Sequence, residues 1–236
     1  MSFSFSKIVN FLLGNFGIHV SRTSYFNEIK KSYLPDPIKL ANRFKIDVTS
    51  VLHIGAHAGD EADVYSELGV KSAVFIEADP DTYHRLEEKL VQFPSYRGIN
   101  ACLGDQISEV NFYISSNDGA SSSVLKPKRH LYERPDVKFL QNKTLQMITL
   151  NSLGLGNFDL IVIDVQGAEE LVINGGWDSI VNTKALYLEC NIGNMYDGDT
   201  SLEKLVRILE PHFHLVYVDM NSNFWGDCMF INKLLR

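Results

Sequence analysis

Two glycines and an acid in the first half of the chain have the spacing of a nucleoside-binding site. Gly55 and Gly59 bracket a turn in "VLHIGAHAGDEADVY", residues 51–65, directly after a short apolar run. Glycine in such a turn lets the backbone approach a ligand closely. Glu77 lies roughly 20 residues further on, at the end of a second apolar run, where a carboxylate can accept hydrogen bonds from two ribose hydroxyls. The pattern predicts that Gly55, Ala56, Gly59 and Glu77 surround a ribose-containing cofactor.

The residues after the turn indicate which kind of cofactor is excluded. Asp60 and Glu61 open the next helix, and acids at a helix start suit a cation better than a pyrophosphate. The turn itself reads G-A-H-A-G, which is not the G-x-G-x-x-G of dinucleotide sites. We therefore expect Asp60 near a cationic part of the cofactor and do not expect a dinucleotide.

Asp164 and Glu169 are the predicted catalytic pair. Asp164 ends the most apolar run of the chain, and Glu169 lies in the first turn of the following helix. Neighbouring carboxylates raise one another's pKa, which suits a general base. One carboxylate could hold an amino group or the acceptor while the other accepts a proton. Two alternatives stay open: Glu169 complements the helix dipole, or His57 on the first loop is the base.

Alternating apolar and amphipathic segments must position these residues. The predicted main strands cover 50–56, 71–79, 97–105, 158–167, 184–191, 213–220 and 223–233, and the predicted helices cover 59–69, 80–93, 168–177 and 201–212. Two shorter strands are expected at 109–115 and 145–153, with a long polar loop at 116–143.

The order of these segments predicts the fold class. Continuous apolar strands between helices indicate a parallel sheet covered on both faces. The last two strands leave no room for a helix between them, so they must be antiparallel. We expect a doubly wound, mostly parallel, seven-stranded α/β sheet with one antiparallel strand. Ligands bind such sheets at the carboxyl ends of the strands, where Gly55, Glu77 and Asp164 would meet.

The first 45 residues are expected to form a helical extension to a domain over residues 46–236. Phe5, Val9, Leu12, Leu13 and Phe16 recur at helical spacing. Packing of this amphipathic helix on the main domain is favoured over contact with a membrane surface or a partner. The segment lacks the features of a signal peptide and is too interrupted for a membrane span, so a cytoplasmic protein is expected.

Composition narrows the partners. The chain has 236 residues, 45% of them hydrophobic, and a net charge of −7, which argues against a nucleic-acid binder. Its three cysteines, Cys102, Cys190 and Cys228, show no metal-type spacing and are expected to be buried free thiols. A small molecule or a glycan is the expected partner, and the oligomeric state is left open.

The ordered motifs of the chain resemble one enzyme family. The stretches "VLHIGAHAGD", "AVFIEADPDTYHRL", "NACLGD", "GASSSVL", "MITLNSL" and "DLIVIDVQGAEELVINGG" cover about residues 50–190. In this order they resemble the FkbM-type methyltransferases, a family of class I enzymes with a Rossmann-like fold. The resemblance implies S-adenosylmethionine as the cofactor and methylation of a hydroxyl group, often on a sugar or natural product.

The resemblance also assigns residues to the cofactor. Ala78 and Asp79 would line the adenosine, and Leu103, Gly104 and Asp105 would lie beside the adenine ring. Asp105 could accept from the adenine amino group, or it could simply form a turn after Gly104. Ser121 to Ser123 would contact the cofactor or the acceptor.

Two positions depart from the family pattern, since His53 stands where Asp is usual and Gln166 where Glu is usual. A neutral His53 could accept a hydrogen bond from the cofactor's ammonium group, whereas a charged one would repel it, and packing within the strand is the other interpretation. Gln166 cannot be a base. A metal site is possible but not expected.

Two other functions compete with the enzyme. Because His53 and Gln166 depart from the family pattern, the chain could instead be a non-catalytic module that keeps the fold. A nicotinamide-dependent oxidoreductase is less favoured because of the glycine pattern.

Overall fold

The structure is a computed structural model that describes residues 36–220 and 224–235. Seven strands form its main sheet: β1 (Ser50–Ile54), β2 (Ser72–Glu77), β3 (Tyr96–Asn100), β7 (Leu160–Ile163), β8 (Ala185–Asn191), β9 (Phe213–Asp219) and β10 (Trp225–Asn232). Their spatial order is β3-β2-β1-β7-β8-β10-β9. Only β10 runs antiparallel to its neighbours β8 and β9. The prediction of a doubly wound, mostly parallel sheet with one reversed strand is confirmed.

The apolar strands build a core on each face of this sheet. Successive side chains of a strand point to opposite faces, and in β1 Val51 joins one buried cluster while Leu52 joins the other. All four residues of β7 are buried. A central strand that is covered on both faces therefore reads as an unbroken apolar run, as the sequence indicated.

Seven helices of the described residues cover the sheet and its connections. They are α1 (Pro37–Arg43), α2 (Glu61–Glu67), α3 (Pro80–Leu90), α4 (His130–Glu133), α5 (Glu169–Gly175), α6 (Trp177–Val181) and α7 (Leu202–Leu209). Side-chain caps start three of them, since Asp36, Asp79 and Ser201 each accept a backbone N–H from the first turn. None of the helices in the described ranges reaches the length and hydrophobicity that a membrane crossing requires.

Only part of the predicted amino-terminal extension lies within the described residues. The predicted amphipathic helix at Phe5 to Phe16 lies outside the described residues. Within the predicted extension, α1 buries Ile38, Leu40 and Ala41 in the same cluster as Val51. The boundary at residue 45 stays a prediction.

The prediction of a single strand at 97–105 is wrong, because a second, three-stranded sheet takes part of this segment. That segment divides into β3 and β4 (Cys102–Leu103), which belong to different sheets. The Asn100 side chain donates to the carbonyl oxygens of Glu77 and Ala78 and ends β3. Gly104 N–H then donates to Ile148 O in the second sheet.

The predicted loop at 116–143 is shorter than expected. It contains α4, and its last residues begin β6 (Phe139–Ile148), which pairs with both β4 and β5 (Ser108–Ser115). Most side chains of β6 are exposed or half-buried. Its polar sequence therefore resembles that of a loop, and the loop prediction for the first part of β6 is wrong. The predicted strand at 145–153 is also wrong at its end, because Leu150–Leu153 form a 3₁₀ turn.

Asp159, directly before β7, binds the start of β1 at the amino-terminal edge of the main sheet, away from the carboxyl ends of the strands. Its Oδ2 accepts from the backbone N–H groups and hydroxyls of Thr49 and Ser50. Lys184 Nζ lies 2.8 Å from its Oδ1. Partial burial by itself would raise the pKa of Asp159, but Lys184 and the donors of Thr49 and Ser50 lower it to about 2.

We predict that Asp159→Asn destabilises the fold by about 2 kcal/mol at neutral pH, since each unit of pKa shift corresponds to about 1.4 kcal/mol. The folded-state pKa lies below the unfolded value, so this stabilisation is present above about pH 4 and is lost as the pH falls towards 2. Urea denaturation across that range should show the difference between variant and wild type shrinking. Asp47→Asn, at an exposed carboxylate nearby, is the matched control. An equal loss in both variants would refute the assignment.

Candidate functional site

The turn after β1 is held by unusually close backbone contacts. The N–H groups of Gly55 and Ala56 both donate to Ile76 O, at 2.9 and 3.0 Å. Gly55 has φ +81°, and a Cβ atom there would lie 1.7 Å from the carbonyl oxygen of Asp164. Only glycine fits this position, both for its left-handed backbone and for its proximity to Asp164.

A cavity of about 200 Å³ opens at the carboxyl ends of β1, β2 and β7. A single bound water needs only roughly 10–15 Å³ on this measure, so the cavity is sized for a larger ligand. It lies where ligands bind doubly wound sheets. Seven of the predicted site residues line it: His53, Gly55, Ala56, Glu77, Ala78, Leu103 and Asp164.

Three of the other predicted residues lie in the surrounding turns and do not line the cavity. Gly59 has φ +78° and packs on Leu86. Asp60 is exposed at the start of α2. Asp79 caps α3 through the N–H and hydroxyl of Thr82 and forms an ion pair with Lys143. Direct cofactor contacts by these three residues stay predictions.

Gly104 and Asp105 also lie behind the cavity wall. A Cβ atom on Gly175 would lie 1.9 Å from Gly104 O and 3.2 Å from the Cα of Asp105, so this turn packs closely against α5. The Asp105 side chain is exposed. Its predicted contact with adenine stays a prediction.

Glu77 is a buried carboxylate with capacity for further hydrogen bonds. It is 8% exposed, and its Oε2 accepts from His57 N–H and its Oε1 from Asp79 N–H, both at 2.9 Å. Burial raises the pKa of Glu77, and the two N–H groups oppose that shift. Each oxygen can accept one more hydrogen bond from a ligand.

Asp164 combines access to the cavity with a restricted environment. Its side chain is exposed, yet the surrounding protein limits its hydration and raises the pKa of Asp164, while an N–H from Gln166 opposes the shift. Gln166 Nε2 donates to Asp164 Oδ1 at 2.8 Å and to Glu189 Oε2 at 2.9 Å. One amide thus bridges two carboxylates.

Glu169 lies under the turn that connects β7 to α5. It is 1% exposed and does not line the cavity. Its Oε1 accepts from the N–H groups of Gly167 at 3.0 Å and Val165 at 3.4 Å, and burial raises the pKa of Glu169 to about 8. The Glu169 carboxyl group therefore faces the backbone of its own turn, and its predicted catalytic role stays a prediction.

Sequence reasoning did not place Gln166 in the site, although it noted the residue. Gln166 lines the cavity and has a left-handed backbone, φ 55°. Its Oε1 lies 3.2 Å from the Tyr196 hydroxyl oxygen, and its carbonyl oxygen accepts from Ser123 Oγ at 2.9 Å. The residue links the end of β7 to three separate segments.

The part of the predicted polar loop around Ser121 to Ser123 forms a hydrogen-bonded wall of the cavity. Tyr113 and Ser123 exchange backbone hydrogen bonds of 2.8 and 3.2 Å, and Tyr196 OH donates to Ser121 O at 2.8 Å. Its lining residues are Gly119, Ala120, Ser122 and Val124.

His57 joins this wall to the first turn. Its Nε2 lies 2.7 Å from Asp118 O, and Asp118 forms an ion pair with Arg85. A role for His57 as the base stays an alternative.

An apolar group of residues lines another part of the cavity, and of these only Leu103 is predicted as a site residue from the sequence. Ala101, Cys102, Leu103 and Phe112 converge there from the second sheet and its junction with β3. Burial raises the pKa of the Cys102 thiol to about 12. Within the described ranges, no three His, Cys, Asp or Glu side chains are arranged to hold a metal ion.

Comparison with known proteins identifies relatives of this chain. Residues 53–217 match the family described as Methyltransferase FkbM domain. The 2-O-methyltransferase NoeI from Sinorhizobium fredii is 31% identical over 177 residues, which cover 70% of this chain and 72% of that protein.

Two solved structures resemble the fold. Methyltransferase FkbM from Methylobacillus flagellatus has a TM-score of 0.51 at 14% identity; the match covers 78% of this chain but only 43% of that longer one. A protein of the NADB-Rossmann superfamily from Streptococcus agalactiae has a TM-score of 0.50 at 11% identity, with 88% and 72% covered. At such identities these structures support the fold alone.

We predict that Gly55→Ala destabilises the fold by about 3 kcal/mol or more, because it combines a left-handed backbone with a steric clash. Gly69→Ala is the matched control: its φ is +86° and no atom lies within 4 Å of the added Cβ, so it should cost only about 1 kcal/mol. Chemical denaturation of both variants measures the difference. Equal costs would show that the close approach to Asp164 does not constrain the turn.

Proposed function

The chain belongs to the FkbM methyltransferase family, and on that premise we propose that it transfers a methyl group from S-adenosylmethionine to a hydroxyl oxygen. The acceptor in this proposal is a sugar, a glycan or another small molecule. The observation that carries the cofactor assignment is Glu77, a buried carboxylate that lines the cavity beside the glycine turn with one free acceptor position on each oxygen.

The chemistry of the lining residues fits the parts of this cofactor. Glu77 would accept hydrogen bonds from the two ribose hydroxyls. The apolar residues Ala101, Cys102, Leu103 and Phe112 would cover the adenine ring. Glu61 and Asp164, on the opposite side of the turn, bring negative charge to the end that holds the ammonium and the sulfonium.

When bound, S-adenosylmethionine supplies an activated methyl group on a sulfonium, so the protein has chiefly to align the acceptor and exclude water. Asp164 is the proposed catalytic residue because it lines the cavity and its pKa is raised, which suits a group that accepts the hydroxyl proton. Gln166 holds Asp164 in position, and Glu169 holds the turn beneath it.

The hydroxyl acceptor is supported by the relative. NoeI carries the name 2-O-methyltransferase, so a protein that shares most of this chain's length methylates oxygen. No metal is part of the proposal.

We predict that Glu77→Gln weakens binding of S-adenosylhomocysteine by about tenfold or more, because a neutral amide replaces a charged acceptor of two hydroxyl donors. Isothermal titration calorimetry measures the affinity. Glu67→Gln, an exposed acid on α2, is the matched control and should bind like wild type. Wild-type protein that fails to bind at millimolar ligand would reject the cofactor assignment.

We predict that label from methyl-labelled S-adenosylmethionine enters an alkali-stable product when the protein is incubated with a panel of monosaccharides, oligosaccharides and phenols. Methyl ethers resist alkali, whereas methyl esters release methanol. Glu77→Gln provides the background. Release of all label by alkali would refute O-methylation of a hydroxyl, and cofactor binding without transfer to any acceptor would favour a non-catalytic module.

A further inference from the structure

His53 is buried at a position that determines the hydrogen-bonding role of each of its ring nitrogens. It lies in β1 and is 5% exposed. Its ring lies against those of Tyr65 and Phe75, with both centroid distances at 5.9 Å. His53 is also among the residues that line the cavity, so it lies between the core and the ligand space.

The core-facing nitrogen is Nδ1, which lies 3.0 Å from the hydroxyl oxygen of Tyr65. Tyr65 is 1% exposed, and burial raises the pKa of its hydroxyl well above the usual value, so the phenol keeps its proton. A buried hydroxyl donor is almost always paired, and within the described ranges His53 Nδ1 is the partner of this hydroxyl. Tyr65 therefore donates and Nδ1 accepts.

That direction determines the other nitrogen. A neutral imidazole carries one N–H and one acceptor nitrogen, so an accepting Nδ1 leaves the proton on Nε2. In the part of the chain that the structure describes, His53 Nε2 has no hydrogen-bond partner. It is also not among the side-chain polar atoms that are buried without a partner. It is thus open to the cavity as a neutral donor, and it cannot accept from an ammonium group.

We propose that the Tyr65–His53 pair makes His53 Nε2 a carboxylate-binding donor that recognises the α-carboxylate of the cofactor's methionine end. This inference rests on the proposed function. The same end of the cavity presents acidic side chains, Glu61 and Asp164, which suit the ammonium and sulfonium but repel the carboxylate. A neutral N–H gives that carboxylate a partner without adding a positive charge beside the sulfonium.

The first test measures the tautomer directly. Long-range ¹H–¹⁵N correlation spectra of the wild-type protein near neutral pH should show His53 as a neutral ring protonated on Nε2. The signal is assigned by its loss in His53→Gln. Tyr65→Phe keeps the aromatic ring and removes only the hydroxyl, so it should allow the proton to move partly to Nδ1. A proton on Nδ1, or on both nitrogens, in the wild-type protein would overturn the proposal.

The second test separates the carboxylate from the rest of the ligand. Calorimetry compares S-adenosylhomocysteine with its decarboxylated analogue, in which a 3-aminopropyl group on the sulfur replaces the 3-amino-3-carboxypropyl group. His53→Met removes the donor at similar length and should weaken S-adenosylhomocysteine by about tenfold, since a hydrogen bond to a charged group is lost. It should leave the analogue unchanged, and His53→Gln, which retains an N–H, should recover most of the loss.

The outcomes distinguish this inference from the proposed function. Equal weakening of both ligands by His53→Met would show that His53 acts on the fold or on Asp164, and would overturn the carboxylate assignment while leaving the cofactor in place. A wild-type protein that binds neither ligand would reject the proposed function itself, and the inference with it.

Discussion

The close approach of Gly55 to the carbonyl of Asp164 is the contact from which the rest of the site is arranged. It brings the ends of β1 and β7 together, and the Asp164 N–H continues their pairing by donating to Ile54 O. The same turn bonds to Ile76, the residue before Glu77. Because three strand ends meet in one small turn, Glu77 and Asp164 face one cavity although they are far apart in sequence.

The carboxylates around this turn are organised by N–H donors. Glu77 accepts from two backbone amides, Glu169 from two others, and Asp164 from the Gln166 side chain. Among the described residues that line the cavity there is no lysine or arginine. These donors fix the geometry of the acids without placing a cation beside them, and that leaves a site suited to a cationic ligand with a ribose.

Features that depend on burial and on strand direction were predictable from the sequence. The main sheet was predictable because its central strands are continuous apolar runs, and Gly55, Glu77 and Asp164 were brought together because parallel strands end at one edge. The break between β3 and β4 was not predictable, since it depends on Asn100 bonding to the carbonyl oxygens after β2. Nor was the first part of β6, before residue 145, because its mostly exposed residues lack the apolar pattern of a buried strand.

The turn after β7 shows why side-chain charge alone does not locate a residue in the cavity. Reasoning from side-chain type favoured Glu169 over Gln166, since only a carboxylate can act as a base. In the structure Gln166 and Gly167 both have positive φ, 55° and 94°, so the chain reverses its twist directly after the strand. This reversal turns Gln166 towards the cavity and leaves Glu169 to bind the N–H groups inside the turn. The hydrophobic pattern of the sequence does not predict such a reversal. A non-glycine residue in this conformation is also uncommon. Which neighbour lines the cavity is therefore decided by the handedness of two backbone positions, and the chemistry of each side chain acts only from the place that the backbone gives it.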